Sequence, residues 1–430
     1  MANKKPLPVK THLIEGLKIT PEISGKRRHT KTSYPVRYGR FAEIETNRYI
    51  YQFNLNGEIK HIKGKSGHWP HPAEWLKRTL ANDWVYYSTG SYNDVHALTG
   101  EYYLPCPSYP SNGVRGGAPF EYGEVKAAFK FWRRLQMLLP ELAQKPQPRN
   151  TAALLNRICK NLDFDLKKRS CRLHNILGGR LSVLPPDTRH VDYDVVPIMV
   201  ADGCLYDCGF CRVKSGRPFN RRTKNAILDQ IKKLKYFLGD DLANYNAIFL
   251  GDHDALNAGA ELIEYAATTA YKMLSIEQAH LYGAYLFLFG SVDSLLKADK
   301  LLFEMLNKLP FYTYINIGLE SVDKATLKQL GKPLTPDRVI KTFERMNAIN
   351  NQYPNLEITA NFVLNQTLSE NHFTSLRHLL YNHLDRVYSK GAIYLSPMTT
   401  NGSGRDLVKS FFTLKKSSRL PTYLYLIQRL

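Results

Sequence analysis

This 430-residue sequence contains only six cysteines and no long hydrophobic run. Six scattered cysteines do not resemble the disulfide framework of a small secreted protein. No apolar stretch approaches the roughly 18 residues that a transmembrane helix needs. The first ten residues, MANKKPLPVK, lack the hydrophobic core of a signal peptide. These absences predict a cytoplasmic protein that does not associate with membranes.

Acidic residues are also scarce, since 38 Asp and Glu stand against 59 Lys and Arg, a formal net charge of +21. Residues 1–190 carry 31 basic and 15 acidic residues, whereas residues 191–430 carry 28 and 23. A basic surface attracts phosphate-rich partners. The N-terminal half therefore makes an anionic substrate or RNA a candidate partner, although solubility alone explains the same charge.

Residues 1–118 are predicted to form a basic, aromatic, β-rich region. Apolar and polar residues alternate between 38 and 62, and Asn56-Gly57 is a hairpin signal. A short helix is expected after Pro72, and the many Tyr and Trp residues are expected to build a core. Residues 119–187 form a predicted helical connector, with a helix over 121–143 broken at Pro140 and another over 151–162.

Strands and helices alternate from residue 188 to residue 405, which is typical of βαβ units with a parallel sheet. Six strands are predicted, at 195–200, 246–250, 280–288, 312–319, 357–364 and 391–396. Right-handed crossovers between them predict an α/β fold, a partial (β/α)6 barrel that resembles an incomplete TIM barrel. Residues 406–430 are predicted to be a C-terminal tail.

Three of the six cysteines, Cys204, Cys208 and Cys211, directly follow the first of these strands with the spacing C-x3-C-x2-C. The carboxyl ends of parallel strands are the usual place for chemistry in α/β folds. Thiolates select iron–sulfur clusters, zinc or copper(I). A zinc site completed by a histidine and a set of ordinary buried thiols remain alternatives at this point.

The spacing, with Phe210 directly before the third cysteine, resembles the radical S-adenosylmethionine (radical SAM) enzymes. The resemblance implies that Cys204, Cys208 and Cys211 hold a four-iron four-sulfur (4Fe-4S) cluster whose open iron chelates SAM. Reductive cleavage of SAM then gives a 5′-deoxyadenosyl radical, with flavodoxin or ferredoxin as the kind of electron donor implied. The resemblance spans roughly residues 188–400, and the subgroup is unassigned.

Further strand exits resemble the SAM-binding segments of the same family. Gly251 and Asp252 stand where the family has a glycine-rich acidic turn for the methionine ammonium. Glu320 and Ser321, in a GLES stretch, are implied to face the ribose or the methionine group. Lys332 stands where many members place a basic residue near the SAM carboxylate.

The fifth and sixth strand exits carry the remaining candidates. Asn361 and Asn365 replace glycines of the family's adenine-binding segment, and backbone groups near Phe210 are a second adenine candidate. Candidate substrate contacts are His253, Tyr394, Ser396, Pro397 and Met398.

The sequence therefore predicts a radical SAM enzyme that acts on an unidentified substrate. The alternative is a zinc-stabilised nucleic-acid-binding protein without radical chemistry, which the basic and aromatic N-terminal half favours. Residues 1–187 lie outside the resemblance, and we expect them to determine the substrate.

Overall fold

The structure is a computed structural model. It describes residues 10–28, 38–65, 67, 69–88, 92–102, 104–106, 118–181, 183–206, 208–211, 216–251, 253–398 and 404–430. The predictions made for Asp252 therefore lie outside the described residues.

An antiparallel sheet occupies the N-terminal region. Its eight strands are β1 His12–Ile14, β2 Leu17–Ser24, β3 Arg40–Glu45, β4 Tyr49–Phe53, β5 Ile59–Gly64, β6 Trp75–Arg78, β7 Trp84–Ser88 and β8 Leu104–Cys106. Each strand pairs with its neighbours in sequence, so the order in the sheet is the order in the chain. The predicted β-rich region is confirmed.

The helix predicted after Pro72 is wrong, because residues 75–78 form strand β6. Leu76 pairs with Ile62 of β5 on one side and with Tyr86 of β7 on the other. All four residues of β6 are buried. Burial on both faces between two strands outweighs the local helical signal, which the sequence alone cannot reveal.

Helices α2 Gly123–Gln144 and α3 Arg149–Cys159 pack against this sheet, and α4 Asp163–Leu177 adds Leu166 to the same core. The shorter α1 Tyr92–Thr99 precedes them. The aromatic residues form the core between the layers, as expected: the rings of Tyr51 and Trp132 lie 5.4 Å apart. Helix α2 continues through Pro140, contrary to the prediction, because Leu139 and Leu142 are buried against the sheet and outweigh one lost hydrogen bond.

A seven-stranded parallel sheet forms the second half. Its strands are β9 Val196–Met199, β12 Ala247–Gly251, β13 Tyr285–Gly290, β14 Tyr312–Glu320, β15 Leu356–Leu364, β16 Ile393–Pro397 and β17 Thr422–Leu424, in that spatial order. A two-stranded ribbon, β10 Ala201–Asp202 and β11 Asn220–Arg221, lies outside it. This is the predicted partial α/β barrel.

The helices of this half are α5 Lys224–Leu238, α6 Ala260–Met273, α7 Val292–Lys297, α8 Lys300–Lys308, α9 Lys324–Gln329, α10 Pro336–Gln352, α11 Glu370–Asn382 and α12 Gly404–Ser417. The sequence missed one strand. Residues 406–430, predicted as a tail, contain most of α12 and the whole of β17, which pairs in parallel with β16. A three-residue strand is too short to show a period.

Residues Pro186–Val191 form a 3-10 turn inside the barrel, near the amino ends of the strands. The ring of His190 stacks on Tyr314 of β14 with 4.8 Å between centroids. Asp187 is fully buried and accepts hydrogen bonds from Thr359 and Tyr394. The turn thus fills the end of the barrel opposite the carboxyl edge.

Polar contacts join the two halves. The Lys77 ammonium of β6 lies 3.1 Å from Asp192 and 3.0 Å from Asp194, directly before β9. Asn54, in the turn after β4, donates to Asp241 at 3.1 Å. None of the described helices is both long and apolar enough to cross a membrane.

Candidate active site

A cavity of about 230 Å³ lies at the carboxyl ends of the parallel strands. The loop after β9 contributes all three cysteines of the motif and Phe210 to its lining. The lining also contains His253, Glu320, Lys332 and Asn361, all of which the sequence singled out. The strand exits therefore bring most of the predicted residues into one space.

The base of the cysteine loop is fixed by the ribbon of β10 and β11. Ala201 pairs with Arg221 and Asp202 with Asn220, and a bridge joins Cys204 to Pro218. Arg222 then binds both carboxylate oxygens of Asp202, at 2.9 and 2.6 Å. These contacts hold the two ends of the cysteine loop next to each other.

Two glycines allow close backbone approaches around this loop. Gly203 has a φ of +81°, and a Cβ there would lie 2.3 Å from the carbonyl oxygen of Pro218. Gly331, with a φ of +62°, faces the backbone nitrogen of Gly209, which would be 3.0 Å from a Cβ. The cysteine loop is therefore in contact with the turn that precedes Lys332.

The three thiols line the same cavity. Within the described residues, no three His, Cys, Asp or Glu side chains are arranged as a ready-made metal site. Burial raises the pKa of the Cys208 thiol to about 11, against the opposing effect of the Lys332 ammonium. Burial also raises the pKa of Cys204. Ligation by these residues requires the thiolate form, which a bound cationic centre would stabilise further.

Tyr206, between the first two cysteines, was not singled out by the sequence. Its hydroxyl donates to Asp293 at 2.7 Å and accepts from the Asp293 backbone nitrogen at 3.2 Å. Its ring lies 5.4 Å from the Lys332 ammonium. Tyr206 thus ties the cysteine loop to the start of α7, a contact between segments 87 residues apart.

Glu320 and Lys332 form a buried ion pair in the cavity wall. The Lys332 ammonium lies 3.1 Å from a Glu320 carboxylate oxygen, and both side chains are at most 10% exposed. Burial lowers the pKa of Lys332, but the Glu320 carboxylate and the nearby thiols of Cys208 and Cys204 together raise it above its usual value. Lys332 therefore remains charged at neutral pH.

The backbone around this pair is strained. Glu320 has a φ of +64°, and the pairing of β14 with β15 shifts register between Gly318 and Glu320. A Cβ on Gly318 would lie 2.4 Å from the Glu320 carboxylate. A left-handed non-glycine residue at a strand exit costs of order 1–3 kcal/mol and persists only where its surroundings enforce it.

Asn361 is held by a chain of buried polar groups. Its amide nitrogen donates to Asn316 at 2.6 Å, and the Asn316 amide nitrogen donates back at 3.1 Å and to Thr359 at 2.9 Å. Thr359 in turn donates to Asp187 at 2.7 Å. One N–H and one lone pair of the Asn361 amide remain for a ligand.

Ser321 and Gly251 do not belong to the described lining of the cavity. The Ser321 side chain is fully buried, and its hydroxyl lies 2.8 Å from His372 Nδ1 and accepts from the Asp323 nitrogen. The Gly251 carbonyl accepts a hydrogen bond from Val200. A Cβ on Gly251 would meet the sulfur of Met199 at 2.7 Å, so close strand packing explains this glycine.

The described lining also includes residues that the sequence analysis missed. Ser396, Pro397 and Met398 were expected in the cavity wall, but Val183, Tyr425 and Ile427 were not. The last two follow β17, the strand that the pattern did not show. Tyr394, a candidate substrate contact, instead donates to Asp187 inside the barrel.

Residues 198–380 match the family model described as the Radical SAM superfamily. The predicted resemblance to this family and the predicted fold class are thereby confirmed. No curated protein matches the chain.

Solved structures show weaker similarity. The cobalamin-dependent S-adenosylmethionine radical enzyme OxsB is 17% identical, with a TM-score of 0.34 over 53% of this chain and 31% of its own. SuiB from Streptococcus suis is 12% identical, with a TM-score of 0.35 over 89% and 72%. A radical SAM methyltransferase from Sphaerobacter thermophilus is 14% identical, with a TM-score of 0.36 over 53% and 64%. At these scores the likenesses carry no argument about function, so the assignment rests on the family match.

Proposed function

We propose, from the premise that residues 198–380 form a radical SAM domain, that this protein is an enzyme that cleaves SAM reductively and directs the resulting radical to a substrate. The observation that carries the proposal is the shared cavity at the strand exits. Three cysteines from one loop line it together with the buried Glu320–Lys332 pair. This combination favours a cofactor site over a purely structural zinc site.

The cluster ligands are Cys204, Cys208 and Cys211 in this proposal. When bound there, a 4Fe-4S cluster supplies the electron that cleaves SAM to methionine and a 5′-deoxyadenosyl radical. The closed base of the loop and the Gly209–Gly331 contact support a fixed position for the thiols. The family match supports iron–sulfur rather than zinc chemistry.

Lys332, Asn361 and Asp252 are each proposed to contact a different part of SAM. Lys332 would bind the SAM carboxylate while remaining close to Glu320, because an ammonium has three donors. Asn361 has hydrogen-bonding capacity suited to the edge of adenine. Phe210 is partly buried beside Val363 and Met398, where its ring helps to exclude water. Asp252, with Gly251, stays a proposal for the methionine ammonium.

An external electron donor, flavodoxin or ferredoxin, is part of the proposal, as is a reducing cytoplasmic environment. The family's chemistry supports both, because reductive cleavage of SAM consumes one electron. We do not assign a docking surface for the electron donor.

The basic N-terminal half supports contact with an anionic partner such as RNA, outside the cavity. On α4 and α5, Lys168 lies 4.1 Å from the centre of the Phe164 ring, and Arg172 lies 5.0 Å from that of Tyr236. The two rings are 68% and 76% exposed. Exposed rings among cations suit single-stranded nucleic acid. This surface is also what the alternative, a zinc-stabilised nucleic-acid-binding protein, would use.

Anaerobic reconstitution with iron and sulfide tests the proposal. We expect the visible absorption and the reduced-state paramagnetic signal of a 4Fe-4S cluster, and 5′-deoxyadenosine from SAM under reduction. Cys204→Ala, Cys208→Ala and Cys211→Ala should each abolish the product, since each removes a ligand. Cys171→Ala, at an exposed thiol on α4, is the matched control and should behave as the unsubstituted protein.

Tight zinc binding without a reducible cluster would refute the proposal and favour the zinc-stabilised nucleic-acid-binding protein. Equal loss of product in Cys171→Ala would show that the assay reports general damage rather than ligation.

A further inference from the structure

The cavity has two chemically different halves, which follow the order of strands in the sheet. The half near β9 to β14 carries the cysteines and the Glu320–Lys332 pair. The half near β15 to β17 carries apolar side chains. They are Val183, Val363, Pro397, Met398, Tyr425 and Ile427.

The apolar half is built around the chain segment that follows β17. The Tyr425 nitrogen donates to Leu395 of β16 at 2.9 Å, and the Tyr425 hydroxyl donates to the Leu184 carbonyl at 2.6 Å. The Leu184 nitrogen donates to Gln428 at 2.9 Å. These bonds connect the segment around Val183 to the segment around Ile427. The two walls are therefore formed before any ligand arrives.

The apolar half lacks a partner for a charged ligand. Among the described lining residues, the only Lys or Arg is Lys332, which already pairs with Glu320. Residues 1–187, the strongly basic part of the sequence, contribute only Val183 to that lining. Ser396 and Asn361 are the polar side chains next to this half, and both are uncharged.

Burying a phosphate or carboxylate against such a wall carries a large desolvation cost, because no cation among the described lining residues compensates for it. Burying an apolar group there is favourable by roughly 25 cal/mol per Å² of apolar surface removed from water. The chemistry of the wall therefore selects against an anionic group and in favour of an uncharged one.

We propose that the walls formed by Val183, Met398, Tyr425 and Ile427 are a subsite for an uncharged, largely apolar group of the substrate. Its catalytic meaning rests on the proposed function: this group carries the hydrogen atom that the radical removes. The subsite itself rests only on the cavity. Any anionic portion of a substrate lies outside these walls.

Two probes with the same aromatic ring test the subsite: 2-naphthylmethanol, which is uncharged, and 2-naphthyl phosphate, which is anionic. Binding is measured by equilibrium dialysis on the protein both before reconstitution and after reconstitution with SAM, because ring fluorescence can then be read away from any cluster. We expect the alcohol to bind more tightly than the phosphate by a factor of about ten or more, because the unpaired anion is costly to bury. Equal or tighter binding of the phosphate would overturn the proposal, as would failure of the alcohol to bind.

Variants locate the binding. Ile427→Asp should lower the affinity for 2-naphthylmethanol about tenfold or more, because it places a carboxylate in the wall. Ile427→Leu should bind this probe about as tightly as the unsubstituted protein does. Val387→Asp is the matched control, since Val387 is 79% exposed and outside the cavity lining. Equal binding in Ile427→Asp and Val387→Asp would contradict the assignment. The comparison of the two probes on the unsubstituted protein holds even if Ile427→Asp fails to fold.

Formation of 5′-deoxyadenosine without substrate separates the two proposals. Its absence in the unsubstituted protein, with the probe preference intact, refutes the proposed function and leaves the subsite supported. Its presence, with the probe preference reversed, refutes the subsite alone.

Discussion

At the residue scale, two buried polar constructions underlie the site. The first is the Glu320–Lys332 pair, whose geometry depends on Gly318 beneath it. The second is the chain from Asp187 through Thr359 and Asn316 to Asn361. Both place charge or hydrogen-bonding groups where the surrounding barrel is apolar, so each group depends on its partner.

Removing either member of the Glu320–Lys332 pair should destabilise the protein, and the two losses should not be additive. Lys332→Met or Glu320→Gln should lower the free energy of unfolding by about 3–5 kcal/mol, because the remaining group is buried without its counter-charge. The double variant should lose less than the sum of the two single losses. Urea unfolding of all four proteins measures this.

Lys233→Met, in an exposed pair with Asp229 at 2.6 Å, is the control and should change stability by less than about 1 kcal/mol. Strict additivity of the two single losses would show that Glu320 and Lys332 do not interact.

Asp187 should make stability depend on pH. Burial raises its pKa to about 6, against hydrogen bonds from Tyr394 and Thr359 that lower it. Between pH 4 and 6 the folded state then binds more protons than the unfolded state, so stability falls as the pH rises. From pH 4.5 to pH 7 this contribution amounts to about 2 kcal/mol.

Asp187→Asn should remove that part of the decrease, as measured by urea unfolding at both pH values. Asp229→Asn, at an exposed carboxylate, should retain the unsubstituted pH profile. An unchanged profile in Asp187→Asn would mean that the Asp187 pKa is not raised.

At the element scale, the sequence could predict which residues lie at the carboxyl ends of the strands. Periodicity placed strands near β9, β12, β14, β15 and β16, and so it placed Cys204, Glu320 and Asn361 at one edge. The register shift at Glu320 and the burial of Ser321 depend on how β14 meets β15 and α11. Contacts between distant segments leave no local pattern.

The contact between the cysteine loop and the turn after α9 should be essential for cluster incorporation. Gly331→Ala adds a Cβ 3.0 Å from the Gly209 nitrogen at a φ of +62°. We expect a loss of about 1–3 kcal/mol in stability and a lower iron content after reconstitution, because the loop must move.

Gly16→Ala provides the control, since its φ is +78° but no atom lies within 4 Å of the added Cβ. It shares the backbone strain without the steric contact. If the two variants incorporate iron equally well, the close approach has no role in holding the loop.

At the scale of the whole molecule, the sequence predicted two regions of different character but not how they meet. The composition of residues 1–118 indicated a β-rich region with an aromatic core, and such a core is present. The contacts of Lys77 with Asp192 and Asp194 could not be foreseen, because Lys77 stands in a segment that resembles a helix. Strand β17 was hidden by its shortness.

Lys77→Met should uncouple the two halves. The change removes from Asp192 and Asp194 a cation whose side chain is only 5% exposed, and Lys60, 3.0 Å from Asp194, remains as the second cation there. It should lower stability by about 3 kcal/mol, because the buried charge of Asp192 loses its ion-pair partner. We expect calorimetry to show the N-terminal sheet and the barrel melting in separate transitions.

Lys126→Met removes an exposed cation beside Glu121 and should leave the melting profile unchanged. A single unshifted transition in Lys77→Met would show that the halves are held together by other contacts.

The order of strands along the chain has a consequence for synthesis on the ribosome. Each strand of the N-terminal sheet pairs with its neighbours in sequence, so this sheet needs only chain that has already emerged. The cysteine loop appears next, whereas Tyr425 and Ile427 emerge some 200 residues after Cys211. During that interval the thiols stand in a half-built barrel without its last wall. We therefore expect the growing chain to offer metal-delivery factors their widest access to the loop before Tyr425 and Ile427 emerge.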